Sequence, residues 1–253
     1  MGKKSYYTQD TNESESITES IVEKFKQSIA DTDPIKKSEP SIESFIDDSK
    51  WKGGWYQDIA FPDGRRTIST TVDFDKHPTR SLAKWDIVEP FLTNGKFLDI
   101  GCNAGGYLVK AAETGKYDDL YGLDSSEHFL KQARFVLDQF DVKAKLHCSP
   151  ALEFDFSKLP HIDTTIMINT LYWIAYSDEK GYVPNPDKEL HRFLETLAGT
   201  TKDLILVGME GLDRIGGNLN KTKEFVAHHF NIIEADFARN FKDRTLNYIY
   251  AQS

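Results

Sequence analysis

Cysteine is scarce in this sequence, occurring only twice in 253 residues, as Cys102 and Cys148. Two are too few for a zinc tetrad or a disulfide framework, so no metal is expected and a reducing compartment, the cytoplasm, is. Long apolar runs are missing as well: Ile166-Met167-Ile168 and Leu204-Ile205-Leu206-Val207 fall far short of the roughly 18 residues of a membrane span. The opening MGKKSYYTQD has two lysines but no apolar segment, so no secretory signal is expected there. Positive charge is in deficit, 31 basic side chains against 40 acidic ones for a net charge of −9. That balance disfavours nucleic acid and anionic lipid as partners, although a local basic patch remains compatible with it. What is present is a chain with 39% hydrophobic and 12% aromatic residues, long enough to bury a sizeable core.

Composition divides the chain in three. Residues 1–50 hold 7 lysines and 11 acidic residues among many Ser and Thr and read as an arm. Within it, Ile17, Ile21, Val22, Phe25 and Ile29 recur at helical spacing after a Ser/Thr/Glu stretch that favours a helix start. The first dozen residues are expected to fray. Residues 51–80 form an aromatic cap, in which Pro62-Asp63-Gly64 between two extended stretches predicts a hairpin turn. From 81 onward Leu82, Trp85, Val88 and Phe91 mark a helix that feeds a core. Strands at 96–100, 119–124, 144–148, 164–169 and 203–208 then alternate with helices at 105–114, 127–140, 188–197 and 221–229. Such alternation predicts a mainly parallel sheet covered on both faces. Two consecutive strands at 231–236 and 245–251 predict an antiparallel final pair.

The informative stretch is Phe97-Leu98-Asp99-Ile100-Gly101-Cys102-Asn103-Ala104-Gly105-Gly106, a buried strand entering a glycine-bearing turn and then a helix. At the first such turn of a doubly wound sheet, Gly101 and Gly105 let a ligand approach the backbone. Asp124, closing the second strand, is placed to accept hydrogen bonds from two ribose hydroxyls, its alternative role being the cap of the helix at 127. Together they point to a nucleoside cofactor. A dinucleotide fingerprint would carry a second glycine where Asn103 stands. The acidic Asp99 would repel a pyrophosphate, yet can receive an ammonium directly or through water. S-adenosylmethionine, with its ammonium and sulfonium, suits such a loop.

On Leu98-Asp99-Ile100-Gly101-Cys102 with Gly105, on Asp124 and on the terminal antiparallel pair, the chain resembles class I S-adenosylmethionine-dependent methyltransferases over residues 80–253. The resemblance implies a Rossmann-like fold with a seven-stranded, mostly parallel sheet and an antiparallel last strand. A narrower likeness lies in Arg80-Ser81-Leu82-Ala83-Lys84-Trp85-Asp86, with Pro90 and Leu92, and in Leu171-Tyr172-Trp173. These segments resemble the tRNA wobble-uridine, carboxymethoxyuridine-forming methyltransferase family. Three features depart from that family: Gly106 stands at its aromatic position, Trp173 replaces a histidine, and residues 212–221 are a short connection where it has a longer insertion. These departures count against a carboxylated cofactor and, with the charge of −9, against tRNA. The expectation is methyl transfer to oxygen or nitrogen of a small molecule, with tRNA second and a non-catalytic cofactor-binding interaction module as the rival of another class.

Roles follow from these positions. Asp99, Gly101, Asn103 and Gly105 face the methionine chain and Asp124 the ribose. Ser125 borders the adenine, and Ala151 and Leu152 read and cover it. Asn169, Thr170 and Leu171 end the fourth strand, where the sheet meets the donor methyl and the acceptor. Arg80 and Lys84, one helical turn apart, either bind a carboxylate or form a solvated face. Tyr172 and Trp173 build the acceptor side, where an aromatic face can also meet a sulfonium. Trp55 is a candidate substrate contact or part of a small core under the hairpin. His77, Asp73 and Tyr56 are candidate bases, needed only if the nucleophile carries a proton. His228 and His229 have no third ligand at metal spacing and read as the end of a helix.

Overall fold

A computed structural model describes residues 55, 57, 59–65, 67, 80–174, 176–177, 181–182, 184–209, 215–241 and 244–253. The arm, its helix, Tyr56, Asp73 and His77 lie outside the described residues, as does the side chain of Arg80.

Seven strands form one sheet: β1 (Gly95–Ile100), β2 (Tyr117–Asp124), β3 (Lys145–Cys148), β4 (Ile162–Ile168), β5 (Thr201–Met209), β6 (Asn231–Phe241) and β7 (Arg244–Gln252). Their order across the sheet is β3-β2-β1-β4-β5-β7-β6. The pairs from β3 to β5 are parallel, and β7 runs antiparallel to both β5 and β6. This is the expected architecture. The helices are α1 (Arg80–Val88), α2 (Gly106–Glu113), α3 (Glu127–Gln139), α4 (Leu171–Ile174), α5 (Pro186–Ala198) and α6 (Leu219–Val226). The final strands outrun their expected bounds because Phe237 and Ala238, in what reads as a connection, pair with Asn247 and Leu246. A short pairing of Tyr176–Ser177 with Gly181–Tyr182 and the four-residue α4 are further elements that sequence periodicity is too short to reveal.

Alternation along each strand sends neighbouring side chains to opposite faces, so two buried layers form. Phe97, Ile166 and Ile205 join Leu108, Val109, Val136 and Trp85 on one face. Leu98, Met167 and Leu206 join Leu194, Leu197, Phe156 and Val226 on the other. Burying one such side chain contributes about 1.5–3 kcal/mol. The hairpin belongs to the first layer: Trp55, Ile59 and Phe61 pack in the same cluster as Trp85, Tyr107 and Phe135. Its turn is the expected one. Gly64 N–H donates to Phe61 O (3.0 Å) and Phe61 N–H to Arg65 O (2.8 Å), with Gly64 at φ +88°, the three-residue loop that needs a glycine in the left-handed region. Thr67, fully buried, ties the hairpin together by donating to Gln57 O (2.7 Å) and accepting from Ile59 N–H (2.8 Å).

Candidate functional site

The ends of β1, β2 and β4 converge where strand order reverses, the place at which open α/β sheets build a crevice; Asp99 lies between Gly122 and Ile166 in register. The loop from Gly101 to Gly106 leaves β1 here, and the fate of its six N–H groups can be accounted for in full. Those of Gly101 and Cys102 donate to Leu123 O (2.7 and 3.1 Å), and that of Gly105 donates to Cys102 O (2.8 Å). Asn103 N–H donates to Asp124 Oδ2 (2.9 Å) and Ala104 N–H to Asn103 Oδ1 (2.8 Å). Gly106 N–H donates to Gln57 Oε1 (2.9 Å). No N–H of the loop is left over for an anion, whereas a phosphate-binding loop presents several.

Acceptors, by contrast, are in surplus. Asp99 is 1% exposed and its Oδ2 has no hydrogen-bond partner. Burial, and then the neighbouring Asp124 carboxylate, push the Asp99 carboxyl well above the ordinary range. Asp124 is also raised, by burial, against the opposing pull of N–H groups from Ser126, Asn103 and Ser125. Asn103 N–H donates to its Oδ2 and Ser126 N–H to its Oδ1 (2.9 Å both). Since a carboxylate offers about four lone-pair sites, acceptor capacity remains for a ligand. The capping alternative falls away, because Ser126 caps α3, its Oγ accepting from Phe129 N–H (3.4 Å). The Cys102 thiol, fully buried, is pushed up by burial and by both acids, which keeps it inert.

The loop's glycines are required by their surroundings. Gly101, at φ +80°, lies against Thr170, so that a Cβ there would overlap the threonine Oγ1 and stand 2.6 Å from its Cγ2. Gly105, at φ +78°, opens α2. Asn103 also takes a positive φ, +50°.

Around this centre the structure arranges the other expected residues unevenly. Ser125 is exposed beside Asp124, while Ala151 and Leu152 are half-buried beyond β3, where Ser149 N–H ties the chain to Asp124 O (3.0 Å). Asn169 ends β4 at φ +55°, and its Oδ1 is buried without a partner. Tyr172 is buried and Trp173 is 43% exposed, their rings 5.2 Å apart. Gly216 backs α4, since a Cβ there would stand 2.8 Å from Tyr172 N. Two expectations are corrected. Lys84 is only 8% exposed, which rules out a solvated face. Trp55 is 3% exposed and packed in the core cluster, so it supports the hairpin and does not line an open acceptor pocket.

The two helix-end histidines gain a neighbour from another helix. His191 of α5 reaches both helix-end histidines, its Nδ1 lying 3.0 Å from His229 Nε2 and its ring 5.1 Å from that of His228. His228 Nδ1 donates to Glu224 O (2.6 Å) in the last turn of α6, as a helix end invites. Among the described residues, no group of three His, Cys, Asp or Glu is arranged to hold a metal. Thr170, expected with Asn169 at the end of the fourth strand, does meet the loop at Gly101. Sequence reasoning missed Gln57 and Gly216, which reach the site through tertiary packing alone.

A methyltransferase-domain family matches residues 92–249. A carboxy-S-adenosyl-L-methionine synthase from Nautilia profundicola is 36% identical over 73 residues, covering 28% of this chain and 31% of that protein. The matched stretch is thus less than a third of that relative. Among solved structures, the N-terminal domain of EvdMO1 with SAH bound superposes with a TM-score of 0.55 at 14% identity, covering 78% of this chain and 90% of that one. The N-methyltransferase NodS from Bradyrhizobium japonicum, in complex with S-adenosyl-L-homocysteine, does so with a TM-score of 0.53 at 12% identity, covering 71% and 90%. An S-adenosylmethionine-dependent methyltransferase from Clostridium acetobutylicum gives 0.50 at 13%, covering 72% and 92%. At these identities the likeness is one of fold. Among the described residues, no helix is long and apolar enough to cross a membrane. With the strand order, the reversed β7 and a family match over most of its length, the chain belongs to the methyltransferase-domain family.

Proposed function

We propose that this protein binds S-adenosylmethionine and passes its methyl group to an oxygen or nitrogen of a small molecule. The observation that carries this reading is the loop 101–106, whose N–H groups are all engaged while Asp99 Oδ2 is buried without a donor. A site with acceptors to spare and no N–H groups to offer favours a cation over a phosphate. The residues fit the group. Asp99 would receive the methionine ammonium, and Asn169 Oδ1 offers a second orphaned acceptor at the neighbouring strand end. Gly101 and Gly105 would let the methionine chain lie against the backbone, with Asn103 between them. Asp124 would use its remaining lone pairs on the ribose hydroxyls, with Ser125, Ala151 and Leu152 around the adenine.

When bound, the cofactor would supply an electrophilic methyl carbon on a sulfonium, with a neutral thioether as its leaving group. The protein's part is to align and to exclude water. Trp173, exposed beside Tyr172 at the end of β4, would present the acceptor, and Tyr172 would hold it from beneath. Arg80 and Lys84 on α1 supply cationic groups for a carboxylate on donor or acceptor. The proton leaves the nucleophile only if it carries one, and Tyr56 and His77 are the candidate bases from the hairpin segment.

A second reading, modification of a tRNA wobble uridine, draws on the Arg80–Asp86 segment and on a relative whose name contains a carboxylated form of the same cofactor. The net charge of −9 opposes it. Calorimetry decides the main reading: micromolar binding of S-adenosylmethionine and S-adenosylhomocysteine, with no binding of NAD, is expected, and Asp124→Ala should abolish it. Absence of binding by the unaltered protein would overturn the proposal. Mass spectrometry of the copurifying ligand separates the ordinary from the carboxylated cofactor, and retention of tRNA at low salt would favour the second reading.

A further inference from the structure

Gln57 stands outside the stretch that matches the family, yet its side chain is built into the loop. It is 5% exposed. Its Oε1 accepts from Gly106 N–H at 2.9 Å, and its Nε2 donates to Cys102 O at 3.4 Å. Five of the six loop N–H groups are satisfied from within β2 or the loop itself; Gly106 N–H alone is satisfied by a side chain from upstream. Gly106 is the first residue of α2, where a helix leaves N–H groups without internal partners.

The glycine at 106 is matched to this contact. A Cβ there would stand 3.1 Å from Gln57 Oε1 and 3.6 Å from Ile59 Cγ1, so a larger residue would push the amide away. The space that a side chain at 106 would take is filled by the hairpin. Gln57 is itself held in place by Thr67, whose hydroxyl donates to the Gln57 carbonyl.

We propose that Gln57 is a positioning residue for the donor site: the hairpin lends its amide to the glycine loop and fixes the loop in the conformation that receives the methionine chain. The inference rests on the methyltransferase reading for its ligand. In chemical terms, the amide satisfies an N–H that the start of the helix leaves without an internal partner. Without it that buried N–H would be uncompensated, Cys102 O would lose one of the two donors described above, and the loop would be free to shift.

Gln57→Met keeps the length of the side chain and removes both hydrogen bonds. It is expected to raise the Kd for S-adenosylhomocysteine about tenfold, the equivalent of one to two hydrogen bonds. The donor KM should rise in step while kcat at saturating donor stays within about twofold, and hydrogen exchange at the Gly106 amide should quicken in the ligand-free protein. Thr165→Val is the control. It breaks the buried Thr165–Thr201 hydroxyl contact (2.8 Å), in which no loop residue takes part, and should lower the melting temperature while leaving Kd and Gly106 exchange unchanged. If Gln57→Met does not fold, Gly106→Ala, which crowds the amide, should shift Kd in the same direction. Unchanged Kd and exchange in the Gln57 variant, beside normal binding by the unaltered protein, would overturn this proposal alone. Failure of the unaltered protein to bind any donor would instead overturn the reading beneath it.

Discussion

Replacing Asp99 by asparagine should make the protein more stable and less able to hold its donor. The carboxyl is 1% exposed and one of its oxygens has no partner, and burial together with Asp124 raises its pKa well above the usual range. In the unfolded chain an aspartate ionises near pH ~3.9. Below that value both states hold the proton and the folded state bears no penalty. As pH rises further the unfolded chain releases its proton first, so stability falls until pH passes the raised folded value, after which the deficit is constant. Asparagine has no such loss. Urea unfolding of the two proteins should therefore nearly coincide around pH ~4 and separate toward neutrality, with Asp99→Asn ahead by about 1–3 kcal/mol, the usual penalty for a buried polar group without a partner. The difference should appear in the midpoint at unchanged slope. Binding moves the other way. A hydrogen bond to a charged group contributes about 1.5–3 kcal/mol, so the Kd for S-adenosylhomocysteine should rise about 10- to 150-fold. In the unaltered protein, affinity should strengthen as pH rises through the Asp99 titration, because a bound ammonium favours the ionised carboxylate. A pH-independent stability gap, or an Asp99→Asn protein that binds as tightly as the original, would refute the reasoning.

Other perturbations read different parts of the molecule. A Cβ on Gly208 would overlap the Gly216 carbonyl oxygen and stand 2.7 Å from Asn247 Oδ1. Because the first is backbone and cannot swing aside, Gly208→Ala should cost about 3 kcal/mol or more, visible as a lowered melting temperature. Trp173→Ala, at a position 43% exposed, should change stability by no more than about 0.5 kcal/mol. Its acceptor KM should rise severalfold while donor KM holds, and a rise in donor KM alone would remove Trp173 from the acceptor side.

The sheet was legible because β1, β4 and β5 hold compact apolar runs such as Ile166-Met167-Ile168 and Leu204–Val207 alternating with amphipathic helices, and because two successive strands at the end have room only for an antiparallel return. The loop was legible because Asp99, Gly101 and Gly105 are neighbours in sequence and their chemistry, acid beside open backbone, can be read without contacts. Lys84 and Trp55 were not, since a lysine one turn from an arginine has the same spacing whether it faces water or, as here, the interior. Gln57 carried no signal at all: a glutamine in an aromatic stretch acquires its meaning only when the hairpin folds it against a loop 45 residues away. The His191–His229 contact, spanning 38 residues, was hidden for the same reason.

The reversed strand has a consequence for the order in which the chain can assemble during synthesis. β6 precedes β7 in sequence but lies beyond it in the sheet, and its hydrogen-bonded neighbour is β7. Until residues 244–252 emerge, β5 presents an open edge and β6 has no seat, although everything needed for the loop between β1 and α2 has already been made. The donor-binding half of the sheet can thus gather while its far side is still waiting for the strand that is threaded between two older ones. Unpaired edges of that kind are where a nascent chain is most exposed to wrong partners, so the late arrival of β7 places the vulnerable moment after β1 and its loop have been made, on the opposite side of the sheet from them.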